Sequence, residues 1–185
     1  MKTIQISDMT LREIAKQASA VSFKERIEIA RTLDRLRLDV IELPPIADHR
    51  GDVLANKTIA GVVTSAALSA ACGMTEESVE EAWESVKAAR RPMLHVMAPV
   101  SAIQMEYQCH MKGPKMLEAI RALVSKARYY TEAVAFSAVD ATRAEPAFLA
   151  QAVTAAVEAG AAQVTLCDSA GVMTPAEWTA FLAEK

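Results

Sequence analysis

The stretch "EAVAFSAVDATRAEPAFLAQAVTAAVEAGAAQVTLCD", residues 132–168, decides the fold. Its opening "EAVAFSA" reads as a strand, "EPAFLAQAVTAAVEAG" as a helix with proline near its start and Gly160 at its end, and "AQVTLCD" as a second strand. Two short β-rich runs separated by a helix cannot close as a hairpin, so the strands are parallel and joined by a right-handed crossover. Between the first strand and the helix stand Asp140, Thr142 and Arg143. After the second strand stand Asp168 and Ser169.

The same alternation extends in both directions. Toward the N-terminus, "MLHVMA" (93–98) reads as a strand, followed by a short helix in "SAIQMEYQCH" and a longer one in "GPKMLEAIRALVSKARYY", where Met116, Ile120, Leu123 and Ala127 share a face. Thr75 opens a helix carrying Val79, Trp83 and Val86. A helix from Asp52 to about Val63 is followed by a strand in "AALSA", and "DVIEL" (39–43) is a strand stopped by Pro44 and Pro45. The segment 23–37 is a helix with Ser22 as N-cap and Phe23, Ile27, Ala30, Leu33 and Leu36 on one face. "TIQIS" (3–7) is the first strand, and toward the C-terminus Pro175 opens a last helix. Six β/α units in succession fit either a doubly wound sheet or a (β/α)8 barrel, and periodicity does not separate the two.

The 185 residues suit one domain. A net charge of -3, from 20 basic and 23 acidic residues scattered along the chain, gives no patch for nucleic acid or an anionic membrane. The apolar residues fall in short runs broken by charges, so no membrane span is expected, and "MKTIQISD" has no signal-peptide pattern. Cys72, Cys109 and Cys167 are odd in number and far apart, which points to reduced thiols and a cytoplasmic protein.

In parallel α/β folds, chemistry gathers at the C-terminal ends of the strands, where loops converge on a rigid frame. Polar residues collect there in this chain. Arg12 and Glu13 follow the first strand, Glu42 ends the second, Ser101 follows the fourth, and the sets named above follow the fifth and sixth. The helix-to-strand connections carry no comparable set. His49, His95 and His110 are isolated, with no histidine partner at i+2 or i+4, so they form no self-contained metal motif. His95 is expected to point from its strand into the core or a hydrogen bond. The six glycines are single, so no phosphate-binding loop is present.

"DMTLRE" (8–13) resembles the D-x-T-L-R-[DE] opening of the metal-dependent Claisen-condensing and lyase barrels, the family of homocitrate synthase, isopropylmalate synthase and hydroxymethylglutaryl-CoA lyase. "DVIEL", "HVMAPVSAIQMEY", "FSAVDATRAEPAFL" and "VTLCDSAGVMTP" are similar to later segments of that family, in order. The resemblance selects the barrel: an incomplete (β/α)8 TIM-barrel type of about six β/α units with parallel strands, occupying 1–185. It implies catalytic roles for Arg12 and Glu42, a metal-ligand role for Glu13, and substrate-binding roles for Gln17, Ser137 and Ser169. It also implies a divalent metal (Mg, Mn or Zn), acetyl-CoA as a substrate, and Claisen condensation with a 2-oxo acid.

There are departures from the family pattern. "IAKQ" follows Glu13 where the family has "GEQ", Val139 stands at a family glutamate, Ala135 at an often charged position, and Ser169 at a threonine. The H-x-H metal motif of the family lies on a seventh strand, beyond the six units here. The expected consequence is a second chain that carries H-x-H and completes the barrel, with a homo-oligomer that shields the strand edges, or an incomplete gene product, as the alternatives. The alternatives are a non-catalytic binding or regulatory relative and a retro-Claisen enzyme like hydroxymethylglutaryl-CoA lyase.

Overall fold

The structure, a computed structural model, describes residues 4–16, 21–47 and 49–183. The strands take the sheet order β1-β2-β3-β4-β5-β6, which is also their order in the chain. The chain divides into two compact units, Met1–His95 and Val96–Lys185.

The first unit holds β1 (Ser7–Asp8), α1 (Thr10–Lys16), α2 (Phe23–Arg35), β2 (Val40–Glu42), α3 (His49–Ala60), β3 (Ala67–Cys72), α4 (Glu76–Val86) and the start of β4 (Pro92–Pro99). β1 pairs parallel to β2 with Ser7 opposite Val40, and β2 pairs parallel to β3 with Glu42 opposite Ser69. Ile41, Leu68 and Leu94 are fully buried, as are Val79 and Val86 on α4. Each large apolar side chain buried in this way contributes about 1.5–3 kcal/mol.

Local chemistry sets the helix limits. α2 starts on a capping box in which the Ser22 hydroxyl accepts from Glu25 N–H and the Glu25 carboxylate accepts from Ser22 N–H. It stops at Arg35, two residues before the expected end, because Arg37 takes a left-handed φ of 58°. Its buried positions are Ala30 and Asp34, whereas Phe23 and Leu36, expected on the inner face, are exposed. The helix turns Asp34 inward because that carboxylate accepts from the backbone N–H groups of Thr64, Ser65 and Ala66 and from the Thr64 hydroxyl, at 2.8–2.9 Å. Burial pushes the Asp34 pKa up, but these hydrogen bonds outweigh it and leave the group below its ordinary value.

β1 is shorter than expected and displaced. The chain at Ile4–Ile6 is exposed coil, and Ile6 meets the next segment through its N–H on the Asp39 carboxylate and its carbonyl under the N–H groups of Asp39 and Val40. The ladder proper then lasts only two residues before α1 begins.

The second unit holds the rest of β4, then α5 (Ala102–Cys109), α6 (Gly113–Tyr130), β5 (Val134–Val139), a 3-10 turn (Ala141–Arg143), α7 (Pro146–Glu158), β6 (Gln163–Leu166) and α8 (Pro175–Ala183). β5 and β6 pair parallel, with Ser137 opposite Thr165. The four α6 residues expected on one face, Met116, Ile120, Leu123 and Ala127, are all buried. Just past the end of α7, Gly160 takes a φ of 108° that explains the glycine, and a Cβ there would approach Arg128 Cγ to 2.9 Å. β6 closes the sheet order, and its residues are mostly exposed.

Candidate functional site

The first unit gathers charge where its strands end. Asp8 closes β1, and its carboxylate accepts from both the N–H and the hydroxyl of Thr10, which fixes the first turn of α1. Arg12 and Glu13 therefore lie on a helix, not in a loop ahead of one. Arg12 Nη1 reaches Glu42 Oε2 at 2.6 Å, and Glu42 Oε1 accepts from Ser7 Oγ at 3.2 Å. The Arg12 and Glu42 side chains are only 15% and 13% exposed, so this pair is shielded in a way that surface pairs are not. Glu13 is 46% exposed and lies 3.8 Å from Arg12 Nε.

His95, on β4, is buried as its strand position leads one to expect, but its electrostatic contact with the Arg12–Glu42 pair is not legible in the sequence. It lies within electrostatic reach of Glu42 and Arg12. Burial pushes its pKa down, the Glu42 carboxylate pulls it up, and the Arg12 guanidinium pushes it down, leaving it below 6.5 and the imidazole neutral at pH 7. Its place on a strand, between apolar neighbours, gave the signal of a core residue. Only the pairing of strands remote in sequence brings Glu42 and Arg12 to it.

In the second unit a different network ties three strand ends together. Ser101 caps α5, accepting from Gln104 N–H at 3.3 Å while donating its own proton to the Asp140 carboxylate. Asp140 is fully buried in a left-handed conformation and also accepts from Arg143 Nε at 2.8 Å. Asp140 N–H donates to Ser169 Oγ at 2.9 Å. Thr142 donates to Asp168, whose other oxygen accepts from Met173 N–H at 3.0 Å; that backbone bond is the main cause of a lowered Asp168 pKa. Ser137 is buried on β5 and Ser169 is exposed in the loop after β6.

Of the expected site residues, Arg12, Glu42 and Glu13 come together in the first unit. Ser137 and Ser169 lie on β5 and after β6 in the second, and Gln17 falls outside the described residues. Among the described residues no group of three His, Cys, Asp or Glu could hold a metal ion. Glu13 therefore has no ready set of co-ligands among them, and these residues alone do not fit a metal shell.

The HMGL-like family model matches residues 3–184, nearly the full length. The chain belongs to the HMGL-like family. Its relatives include 2-isopropylmalate synthases from a Geobacillus species (34% identical over 179 residues), Pelotomaculum thermopropionicum (35% over 181) and Listeria monocytogenes (36% over 180). These alignments take in 96–97% of the chain but only 35–36% of each relative, so this HMGL-like chain spans about a third of their length. Among solved structures, a hydroxymethylglutaryl-CoA lyase from Brucella melitensis superposes with a TM-score of 0.79 at 14% identity, covering 99% of this chain and 67% of that one. The Bacillus subtilis lyase gives 0.74 at 15% identity, covering 99% and 64%. At such identities the likeness is one of fold, and it bears out the incomplete TIM-barrel type with parallel strands.

Proposed function

We propose that this HMGL-like chain supplies the first six β/α units of a synthase that condenses acetyl-CoA with a 2-oxo acid. The remaining units and the H-x-H histidines come from sequence outside these 185 residues. The observation that carries the reading is the shielded Arg12–Glu42 pair beside neutral His95, in a chain aligned over nearly all its length with 2-isopropylmalate synthases.

In such a condensation a base removes a proton from the thioester methyl group, the carbanion attacks the keto carbon, and the keto oxygen takes up negative charge. Hydrolysis of the thioester then frees CoA. Arg12 is a fixed cation for that oxygen, and Glu42 holds its guanidinium in one orientation. Ser169, exposed in the loop after β6, offers its hydroxyl to the substrate carboxylate, and Ser137 lies buried on β5. Glu13 would be one carboxylate for a divalent cation whose other ligands lie outside the described residues. On β5, Ala135, Ser137 and Val139 alternate onto one side of the strand and carry no cation, which favours a 2-oxo acid with an uncharged side chain.

No described helix is long and apolar enough to cross a membrane. None of the three cysteines is in a disulfide, in keeping with a cytoplasmic setting. Mixing the chain with a co-encoded polypeptide bearing H-x-H, acetyl-CoA, Mn²⁺ and either 2-oxoisovalerate, pyruvate or 2-oxoglutarate should release free CoA, read as a thiol. Silence with all three acids refutes the proposal.

A second reading, a non-catalytic relative, draws on the lack of a metal-ligand cluster among the described residues and on Val139 at the family's glutamate position. Calorimetric titration of the mixture with Mn²⁺ and Zn²⁺ separates the two. Equal weak heats from wild type and Glu13→Ala favour the non-catalytic form.

A further inference from the structure

The β5–β6 ladder ends in an unusual way. Cys167 N–H donates to Ala138 carbonyl and Ala141 N–H donates to Cys167 carbonyl, so the N–H of Asp140 has no ladder acceptor of its own. Asp140 leaves the strand with φ 62° and ψ 37°, a conformation that costs a non-glycine residue energy and that aspartate tolerates better than most. Its N–H then meets Ser169 Oγ at 2.9 Å. The carboxylate of the same residue is held on both oxygens, by the Ser101 hydroxyl and by Arg143 Nε.

The direction of these bonds matters for Ser169. Its oxygen already accepts a hydrogen bond from Asp140, and among the described residues its proton has no acceptor. The side chain is exposed. A hydroxyl whose lone pair is engaged by an N–H, and whose proton is uncommitted, is set to donate to an anionic oxygen. Ser101 is in the opposite state: it accepts from Gln104 N–H and gives its only proton to Asp140, so it is spent on holding Asp140 in place.

We propose that Asp140 is a positioning residue: anchored by Ser101 and Arg143, its left-handed backbone orients the Ser169 hydroxyl as a donor to the carboxylate of a 2-oxo acid. This rests on the reading of Ser169 as a carboxylate-binding residue given above. Asp140 does not touch the substrate. Its effect passes through Ser169, and that separates this role from a merely structural one.

The test is a ligand-observed NMR titration of the full chain with 2-oxoisovalerate, a method suited to weak binding. Ser169→Ala should raise the Kd about tenfold, the usual effect of losing a hydrogen bond to a charged group. Asp140→Ala should raise it about as much, and the double variant should bind within about twofold of Ser169→Ala, because both changes remove one interaction. Asp140→Asn, which tolerates the left-handed backbone, should fall between wild type and Asp140→Ala. It and Ser101→Ala, expected to weaken binding by a smaller factor, decide the matter if Asp140→Ala does not fold. Wild-type binding by Asp140→Ala or, failing that, by both Asp140→Asn and Ser101→Ala, with Ser169→Ala weakened, overturns the Asp140 role and leaves the carboxylate reading standing. Losses that multiply in the double variant also overturn it. Undiminished binding by Ser169→Ala, or no binding by wild type, overturns the carboxylate reading and the Asp140 role with it.

Discussion

Replacing Glu42 by glutamine keeps the shape of the side chain and removes its charge, leaving Arg12 with a neutral partner at a site where both side chains are less than a sixth exposed. The bond lost is charge-assisted, 2.6 Å long, and accompanied by a second contact from Ser7 at 3.2 Å. Hydrogen bonds to charged groups are worth about 1.5–3 kcal/mol, and glutamine retains an acceptor, so the loss should be about 2 kcal/mol. For a chain of this size that lowers Tm by about 4–8 °C, read by circular dichroism. The same variant has a second, independent readout. Glu42 pulls the His95 pKa upward against burial and Arg12, so in Glu42→Gln the His95 pKa should fall further, followed by NMR of the imidazole protons. His95 is harder to protonate in the folded chain than in the unfolded one. Its contribution to stability is therefore complete above 6.5 and lost as pH falls toward the folded pKa, and Glu42→Gln carries that loss to lower pH. An unchanged Tm together with an unchanged or raised His95 pKa would refute the reasoning.

Asp34→Asn should cost about 2–3 kcal/mol in urea unfolding, because an amide cannot replace a carboxylate under four donors. The wild-type Asp34 contribution should persist above the ordinary carboxylate value of 3.8 and disappear as pH falls through the lowered folded pKa. Gly160→Ala should destabilise by about 1–2 kcal/mol in the same assay, since φ of 108° disfavours a side chain and the new Cβ would crowd Arg128. Burial pushes the Cys72 thiol up to about 12, so in the native chain it should resist alkylation at pH 8 and react only on unfolding, seen by mass spectrometry.

What the sequence revealed was local in origin. Ser22 caps α2, Pro146 and Gly160 bracket α7, and the face of α6 buries as its spacing requires, because each depends on residues within a turn or two. What it concealed depends on contacts between remote segments. Asp34, polar and mid-chain, gave no sign of turning inward until the loop at Thr64–Ala66 supplied its donors. The first strand begins later than the alternation of Ile4 and Ile6 suggests, because the Asp39 carboxylate takes the Ile6 N–H. Arg12 and Glu42 were legible as strand-end charges and as parts of a family pattern. Their mutual pairing, and His95 beside them, required the strand register. Asp140 was visible as a loop acid, but its left-handed backbone was not, since nothing in "SAVDATR" marks φ there.

The most direct test of the central claim follows the new carbon–carbon bond. Acetyl-CoA labelled with ¹³C at the methyl carbon is incubated with 2-oxoisovalerate, this chain and an H-x-H-bearing polypeptide, and the product is read by ¹³C NMR. A labelled methylene bonded to the former keto carbon is expected, formed by the mixture and slowed about 10²–10³-fold by Arg12→Gln, the loss expected for an oxyanion donor. Free CoA without that carbon–carbon bond, or an Arg12→Gln mixture as fast as wild type, would contradict it.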